Sequence, residues 1–202
     1  LIFGADSHTC SYGALGAFGT GVGCTDLLYG MVTGKSWVLV PETVKFNLVG
    51  KLPEGVYARD LILTIIGTIG ANGCNYQVME FTGEGAKTLS ISERMVLCNM
   101  AVEAGAKTGI FEPDEKAIEY LEAHGRKPKA LFTSDPDAVY AREYTFDLSK
   151  IRPVVAKPDF VDNLVPAEEV RGVKIDEAFL GSCNNGRIED LRVGASILKG
   201  RH

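Results

Sequence analysis

The 202-residue sequence predicts an α/β fold with a mostly parallel sheet, and three observations carry it. Short apolar runs with the look of buried strands alternate with longer runs of helical period. Small polar residues gather where two of those runs end and a helix follows, as at Asp6-Ser7-His8-Thr9 and Ser182-Cys183-Asn184-Asn185. Glycine is in excess, 23 residues against 8 prolines, with neither a collagen period nor a linker composition.

Taken in order, Leu1–Ala5 reads as an opening strand and Gly13–Gly23 as a glycine-rich turn. Thr25-Asp26 can cap a helix from Leu27 to about Thr33, closed by Gly34. Trp37–Val40 and Val44–Val49 read as strands separated at Pro41, the second alternating apolar and polar. Arg59–Ile69 is apolar on most faces and reads as a buried helix, followed by a short strand at Val78–Phe81. Ser90 and Ser92 start a helix that runs to Ala104, and Pro113 precedes another over Asp114–His124 that stops at Gly125. The latter is a solvated surface helix, with Ile118 and Leu121 on one side and acids and Lys116 around them. Prolines punctuate Lys127–Pro166, where Tyr144–Leu148 alternates like a strand. Val173–Leu180 reads as a strand and Gly186–Leu198 as a helix.

Composition removes several classes. Apolar residues make up 46% and charged residues 23%, a globular balance that excludes disorder. A net charge of −5 argues against a broad grip on nucleic acid. The longest apolar run, Leu61–Ile69, is too short to span a bilayer, so no membrane role is expected. Five scattered cysteines without a C-x-x-C pair fit a reduced, cytoplasmic compartment. The sequence lacks an initiator methionine and begins on apolar residues, so a section of a longer protein is expected.

The two strand-end loops are the candidate sites, because ligands of open α/β sheets sit at the carboxyl ends of strands. Asp6, Ser7 and His8 can present a carboxylate, a hydroxyl and an imidazole to one pocket. The plainer reading is that Asp6 and Ser7 cap a turn with His8 on the surface. Cys183, at the start of a helix, is either a reactive thiol suited to a metal or a small buried filler. The Gly16–Gly23 loop lacks the Lys-Ser/Thr of a Walker motif and the Rossmann spacing, so close packing explains it better than a nucleotide.

The segments Gly4-Ala-Asp-Ser-His-Thr9, Gly13 to Asp26, Cys98-Asn-Met-Ala-Val-Glu-Ala-Gly105 and Gly181-Ser-Cys-Asn-Asn-Gly-Arg-Ile-Glu-Asp190 together resemble the aconitase superfamily. They come nearest its branch of isopropylmalate dehydratase and homoaconitase large subunits, and the likeness runs from the first residue to the last. The resemblance implies a multi-domain protein of three-layer α/β/α units with mostly parallel sheets. It implies a hydro-lyase with a 4Fe–4S cluster that isomerises a hydroxy-dicarboxylate, 2-isopropylmalate to 3-isopropylmalate through isopropylmaleate in leucine biosynthesis. It also implies a partner, a small subunit that carries a swivelling domain and the catalytic base.

Carried over by position, Asp6, His8 and Glu103 match catalytic residues. Ser7, Asn99 and Asn185 match substrate contacts, and Cys183 matches a cluster ligand. Asn99 and Glu103, four apart, share one helix face. Cys10, Cys24, Cys74, Cys98 and His124 match no role. Asn184 stands where the family usually has threonine. The family's other two cluster cysteines are expected beyond Arg201-His202, so this section alone is expected to be inactive. The implied division is residues 1–41 as the end of a first domain, 42–140 as a second, and 141–202 as the start of a third that carries Cys183. Two alternatives stay open: homoaconitase or another alkylmalate dehydratase, and a cluster-free RNA-binding relative, which the acidity opposes.

Overall fold

A computed structural model describes residues 1–200. At its centre lies a four-stranded parallel sheet in the order β5-β4-β3-β6, formed by β3 (Thr43–Val49), β4 (Val78–Thr82), β5 (Thr108–Phe111) and β6 (Arg142–Asp147). The α/β class and the parallel sheet are therefore as expected. β3 alternates as its sequence suggests: Val44, Phe46 and Leu48 are fully buried, while Thr43, Lys45 and Asn47 face a polar side. Parallel strands are more often apolar on both faces. Here the polar face is covered by irregular chain, with Ser134 and Tyr140 donating to Glu80 and Lys45 lying over the Tyr140 ring.

The apolar face packs on α2 (Ala58–Ile69) and α4 (Ile91–Asn99), which also touch each other, and the short α3 (Glu84–Thr88) lies against β3 and β4. Register places Phe111, Phe81, Phe46 and Tyr144 on neighbouring positions of all four strands, with ring centroids 5.0, 5.6 and 5.5 Å apart. Burying a ring of this size is worth ~1.5–3 kcal/mol, more than a half-exposed ion pair such as Lys45–Glu143 contributes. This aromatic row and the helices on it hold the middle of the chain. Buried Arg94 adds a bidentate contact to Asp114, the N-cap of α5 (Glu115–Ala123), and stacks over Phe111.

Several expected elements differ. The strand expected at Tyr144–Leu148 is β6, paired along its length with β3, so the sheet of the middle segment continues past residue 140. Leu148 and Ile151 also join its core. Trp37–Val40 and Val173–Leu180 are irregular and largely exposed rather than strands, because neither has a neighbouring strand to complete its ladder among the described residues. The helix of 92–104 is α-helical only to Asn99; Met100–Ala104 winds as a 3₁₀ turn that closes at Gly105 in the left-handed region. A 3₁₀ helix, Ser7–Leu15, runs into the glycine-rich stretch, which holds the short strand β2 (Gly19–Gly21), paired in parallel with β1 (Ile2–Gly4). Gly23, not Thr25-Asp26, caps α1 (Cys24–Thr33).

The last elements are an antiparallel pair, β7 (Val154–Ala156) and β8 (Leu164–Pro166), then α6 (Ser182–Asn185) and α7 (Ile188–Leu198). No helix among the described residues is long and apolar enough to cross a membrane.

Candidate active site

The first loop is built by close backbone packing. A Cβ on Gly13 would fall on the carbonyl oxygen of Gly109, and one on Gly109 would lie 2.9 Å from Cys98 Cα. Both positions therefore require glycine, and together they seat the 3₁₀ helix of residues 7–15 directly on β5 and α4. The glycine excess serves packing here, as its spacing suggests. Asp6 caps that helix, its Oδ1 accepting from the His8 N–H at 2.7 Å. The same oxygen is 3.6 Å from His8 Nδ1, and Ser7 Oγ is 3.1 Å from that nitrogen. His8 Nε2 lies 3.7 Å from Glu103 Oε1. An imidazole thus stands between two carboxylates, one on each ring nitrogen, and both carboxylates are exposed.

The tightened winding after Asn99 explains why Glu103 reaches His8. Four positions of α-helix would turn the side chain by about 40°, whereas a 3₁₀ path turns it by about 120°. Asn99 accordingly points inward, 1% exposed, and Glu103 outward. The two do not lie on one helix face in the simple sense that their spacing implies.

The second loop docks on the same α4. Asn184 is buried and fully engaged: Nδ2 donates to Asn99 Oδ1 at 3.0 Å and to the Val96 carbonyl at 3.3 Å, and Oδ1 accepts from Arg59 Nη1 at 2.5 Å. Asn99 Nδ2 donates in turn to Ser11 Oγ at 3.0 Å, and Ser11 Oγ donates to the His8 carbonyl at 2.8 Å. One hydrogen-bonded chain therefore runs from Arg59 through Asn184, Asn99 and Ser11 to His8. Arg59 Nη1 also reaches Asn185 Oδ1 at 3.1 Å, and Asn185 Nδ2 donates to Asp190 at 3.1 Å. Arg59, Asn185, Ser182 and Asp190 line an open cleft of about 510 Å³.

The cysteines divide into two groups. Burial pushes the Cys10 thiol up to about 12, with Asp6 and Cys183 adding to the rise, and pushes Cys74 up to about 11. Cys98, wholly buried, is raised well above the usual thiol range. These three stay protonated near neutrality and are unsuited to bind a metal. Cys24 and Cys183 are exposed. Cys183 lies near enough to Cys10 to affect its ionisation, and its carbonyl accepts from Arg187 Nη1 at 3.2 Å. Its thiol suits one position of a cluster's ligand set. The described residues hold no group of three or more potential metal-binding side chains, so they do not by themselves fit a whole cluster.

The fold thus brings Asp6, Ser7, His8 and Glu103 into direct contact, and joins Asn99, Asn185 and Cys183 to them through hydrogen bonds and backbone. Arg59, Ser11 and Asn184 are members that sequence reasoning missed. The available signal was a lone arginine opening an otherwise apolar helix, and an asparagine in place of threonine.

A parallel sheet carrying these two loops on one helix defines a class, and comparison bears it out: residues 1–172 match the model of the aconitase family (aconitate hydratase), and the chain belongs to that family. It is 54% identical to the 3-isopropylmalate dehydratase large subunit of Hydrogenobaculum sp. over 201 residues, 100% of this chain and 47% of that protein. The 3-isopropylmalate dehydratase large subunit of Heliobacterium modesticaldum is also 54% identical, over 99% of this chain and 48% of its own length. The 3-isopropylmalate dehydratase large subunit 1 of Methanopyrus kandleri is 52% identical over the same shares. The chain spans about half the length of these relatives.

Proposed function

We propose that this chain is part of the large subunit of a cytoplasmic hydro-lyase. The enzyme isomerises 2-isopropylmalate to 3-isopropylmalate by dehydration to isopropylmaleate and rehydration, in leucine biosynthesis. Its other component is a small subunit. The names and identities of the relatives support the substrate. The structural observation that carries the reading is the Asn184–Asn99 hydrogen bond, which docks the Cys183 loop on the helix that leads to Glu103.

A 4Fe–4S cluster, with Cys183 as one ligand, would supply a Lewis-acidic iron for the substrate's hydroxyl and carboxylate. The residues of this chain handle the proton. Departure of a hydroxyl requires a proton at its oxygen, and rehydration requires its removal from water. His8 is the carrier, with Nε2 towards Glu103 and Nδ1 towards Ser7 and Asp6. Asp6 and Glu103 hold the ring between them. Ser7 and Asn185 contact the substrate's oxygens, whereas Asn99, expected as a substrate contact, is buried and engaged with Ser11 and Asn184 and so supports the site from behind.

The test uses the full-length protein with its small subunit, reconstituted anaerobically with iron and sulfide. Isopropylmaleate formation from 2-isopropylmalate is followed by its ultraviolet absorbance. Cys183→Ser should abolish both the brown chromophore and turnover. A reconstituted protein that ignores 2-isopropylmalate and acts on another alkylmalate or on homoaconitate would replace the substrate; a cluster that assembles normally on Cys183→Ser would remove the ligand.

A further inference from the structure

The turn that carries Cys183 is held by two arginines in addition to its own backbone. Ser182 sits at φ +69°, a left-handed conformation that a residue with a Cβ rarely adopts. The helical turn that follows is only four residues long. Arg187, just after it, donates to the carbonyls of Cys183 and Asn184 and so closes the turn from within. The second arginine, Arg59, comes from α2, more than a hundred positions earlier. Its Nη1 donates to Asn184 Oδ1 and Asn185 Oδ1, the two side chains that immediately follow Cys183. Burial lowers the pKa of the Arg59 guanidinium, opposed first by the charge of Glu103 and then by that of Asp60, so Arg59 is within electrostatic reach of the Glu103 wall of the site.

We propose that Arg59 is a positioning residue: its guanidinium locks the Cys183 turn to α4 and sets where that turn stands relative to the His8–Glu103 pair. The role rests on Cys183 and His8 serving the site as proposed above. Three facts support it. The amide of Asn184 can satisfy Val96, Asn99 and Arg59 only in one orientation, with the oxygen towards Arg59. The polar chain from Arg59 to His8 is continuous, so movement of the turn is transmitted to the loop that holds the imidazole. A planar, always-charged guanidinium has several donors in a fixed fork and can hold two amide oxygens at once, whereas a lysine ammonium is a single flexible point of charge.

Arg59→Lys therefore keeps the charge and removes the lock. In the full-length, cluster-free protein, hydrogen exchange of a peptide covering residues 181–190 should accelerate about fivefold, the scale of one lost hydrogen bond in a local opening equilibrium. Peptides from the sheet should be unchanged. Asn184→Ser should have the same local effect, and the double variant should exchange no faster than either single one. With the holoenzyme, Arg59→Lys should lower kcat while KM stays within about twofold, as expected for misplacement of the reacting groups. Unchanged exchange in 181–190, or acceleration spread over the sheet, would overturn the proposal. Because exchange is read without turnover, an absence of dehydratase activity counts against the proposed reaction and leaves this result to stand or fall by itself.

Discussion

Asn184 donates from Nδ2 to Asn99 Oδ1 at 3.0 Å across 85 positions of the chain, and both side chains are buried. Neither amide has a free choice of partner, since Asn184 is also engaged by Val96 and Arg59, and Asn99 by Ser11. Asn184→Asp keeps the shape, but it replaces a donor with an oxygen facing Asn99 Oδ1 and the Val96 carbonyl. Loss of about 2–3 kcal/mol of stability is expected, the cost of leaving buried polar groups unsatisfied. Urea denaturation would show this as a lower midpoint at unchanged slope; a midpoint equal to the parent's would mean that the contact is not made in solution.

Exchange of either glycine at the loop–sheet contact should be costly. Gly13→Ala puts a methyl group onto the Gly109 carbonyl, and Gly109→Ala puts one against Cys98 and Ala101. A loss of about 2–4 kcal/mol is expected for either, because close-packed backbone has nowhere to retreat. Circular dichroism melts check the stability. A fall in activity larger than the unfolded fraction explains would report displacement of His8 from Glu103.

Thiol labelling should follow burial. At pH 8, iodoacetamide should modify Cys24 and Cys183 in the native cluster-free chain and spare Cys10, Cys74 and Cys98 until unfolding. Mass spectrometry of tryptic peptides reads the pattern directly. Prompt native labelling of Cys10 would contradict the packing of residues 7–15 on α4.

The Arg94–Asp114 pair gives a pH signature. Burial works to raise the Asp114 carboxyl, but hydrogen bonding and charge from Arg94 override it and hold the group below the usual carboxylate range. A group whose folded pKa is depressed contributes stability above its unfolded pKa of about 4 and loses it as pH falls through the lower folded value. Stability should therefore decline below about pH 4 more steeply in the parent than in Asp114→Asn. At pH 7 that variant should be about 3 kcal/mol less stable, because the Arg94 side chain is only 2% exposed and would be left without its counter-charge. Parallel acid-unfolding curves for the two proteins would rule out this linkage.

For the proposed chemistry, Glu103→Gln should reduce kcat of the full-length enzyme by about 10- to 100-fold, less than the roughly 10²- to 10⁴-fold of the proton-transferring group itself because Glu103 acts through His8. KM should change far less. Full activity in that variant would remove Glu103 from the proton path.

Much of this molecule can be read without coordinates, because the information is local. The alternation of Val44–Val49, the apolar faces of Arg59–Ile69 and the helix after Pro113 depend on neighbours a few positions away, and each appears as expected. Asp6, Ser7 and His8 are adjacent in the chain, so their grouping needed no fold at all. Trp37–Val40 and Val173–Leu180 are strand-like by composition, but a strand exists only where another supplies its hydrogen bonds. The placement of β6 beside β3, the aromatic row across the sheet and the turn of Glu103 onto His8 are matters of register and winding. Arg59 and Asn184 became visible as partners only when α2, α4 and the Cys183 turn were brought together. The sequence by itself determined which groups are available; the tertiary structure decided which of them share a hydrogen bond, because those bonds close across 85 to 125 positions of chain and depend on packing that no local pattern encodes.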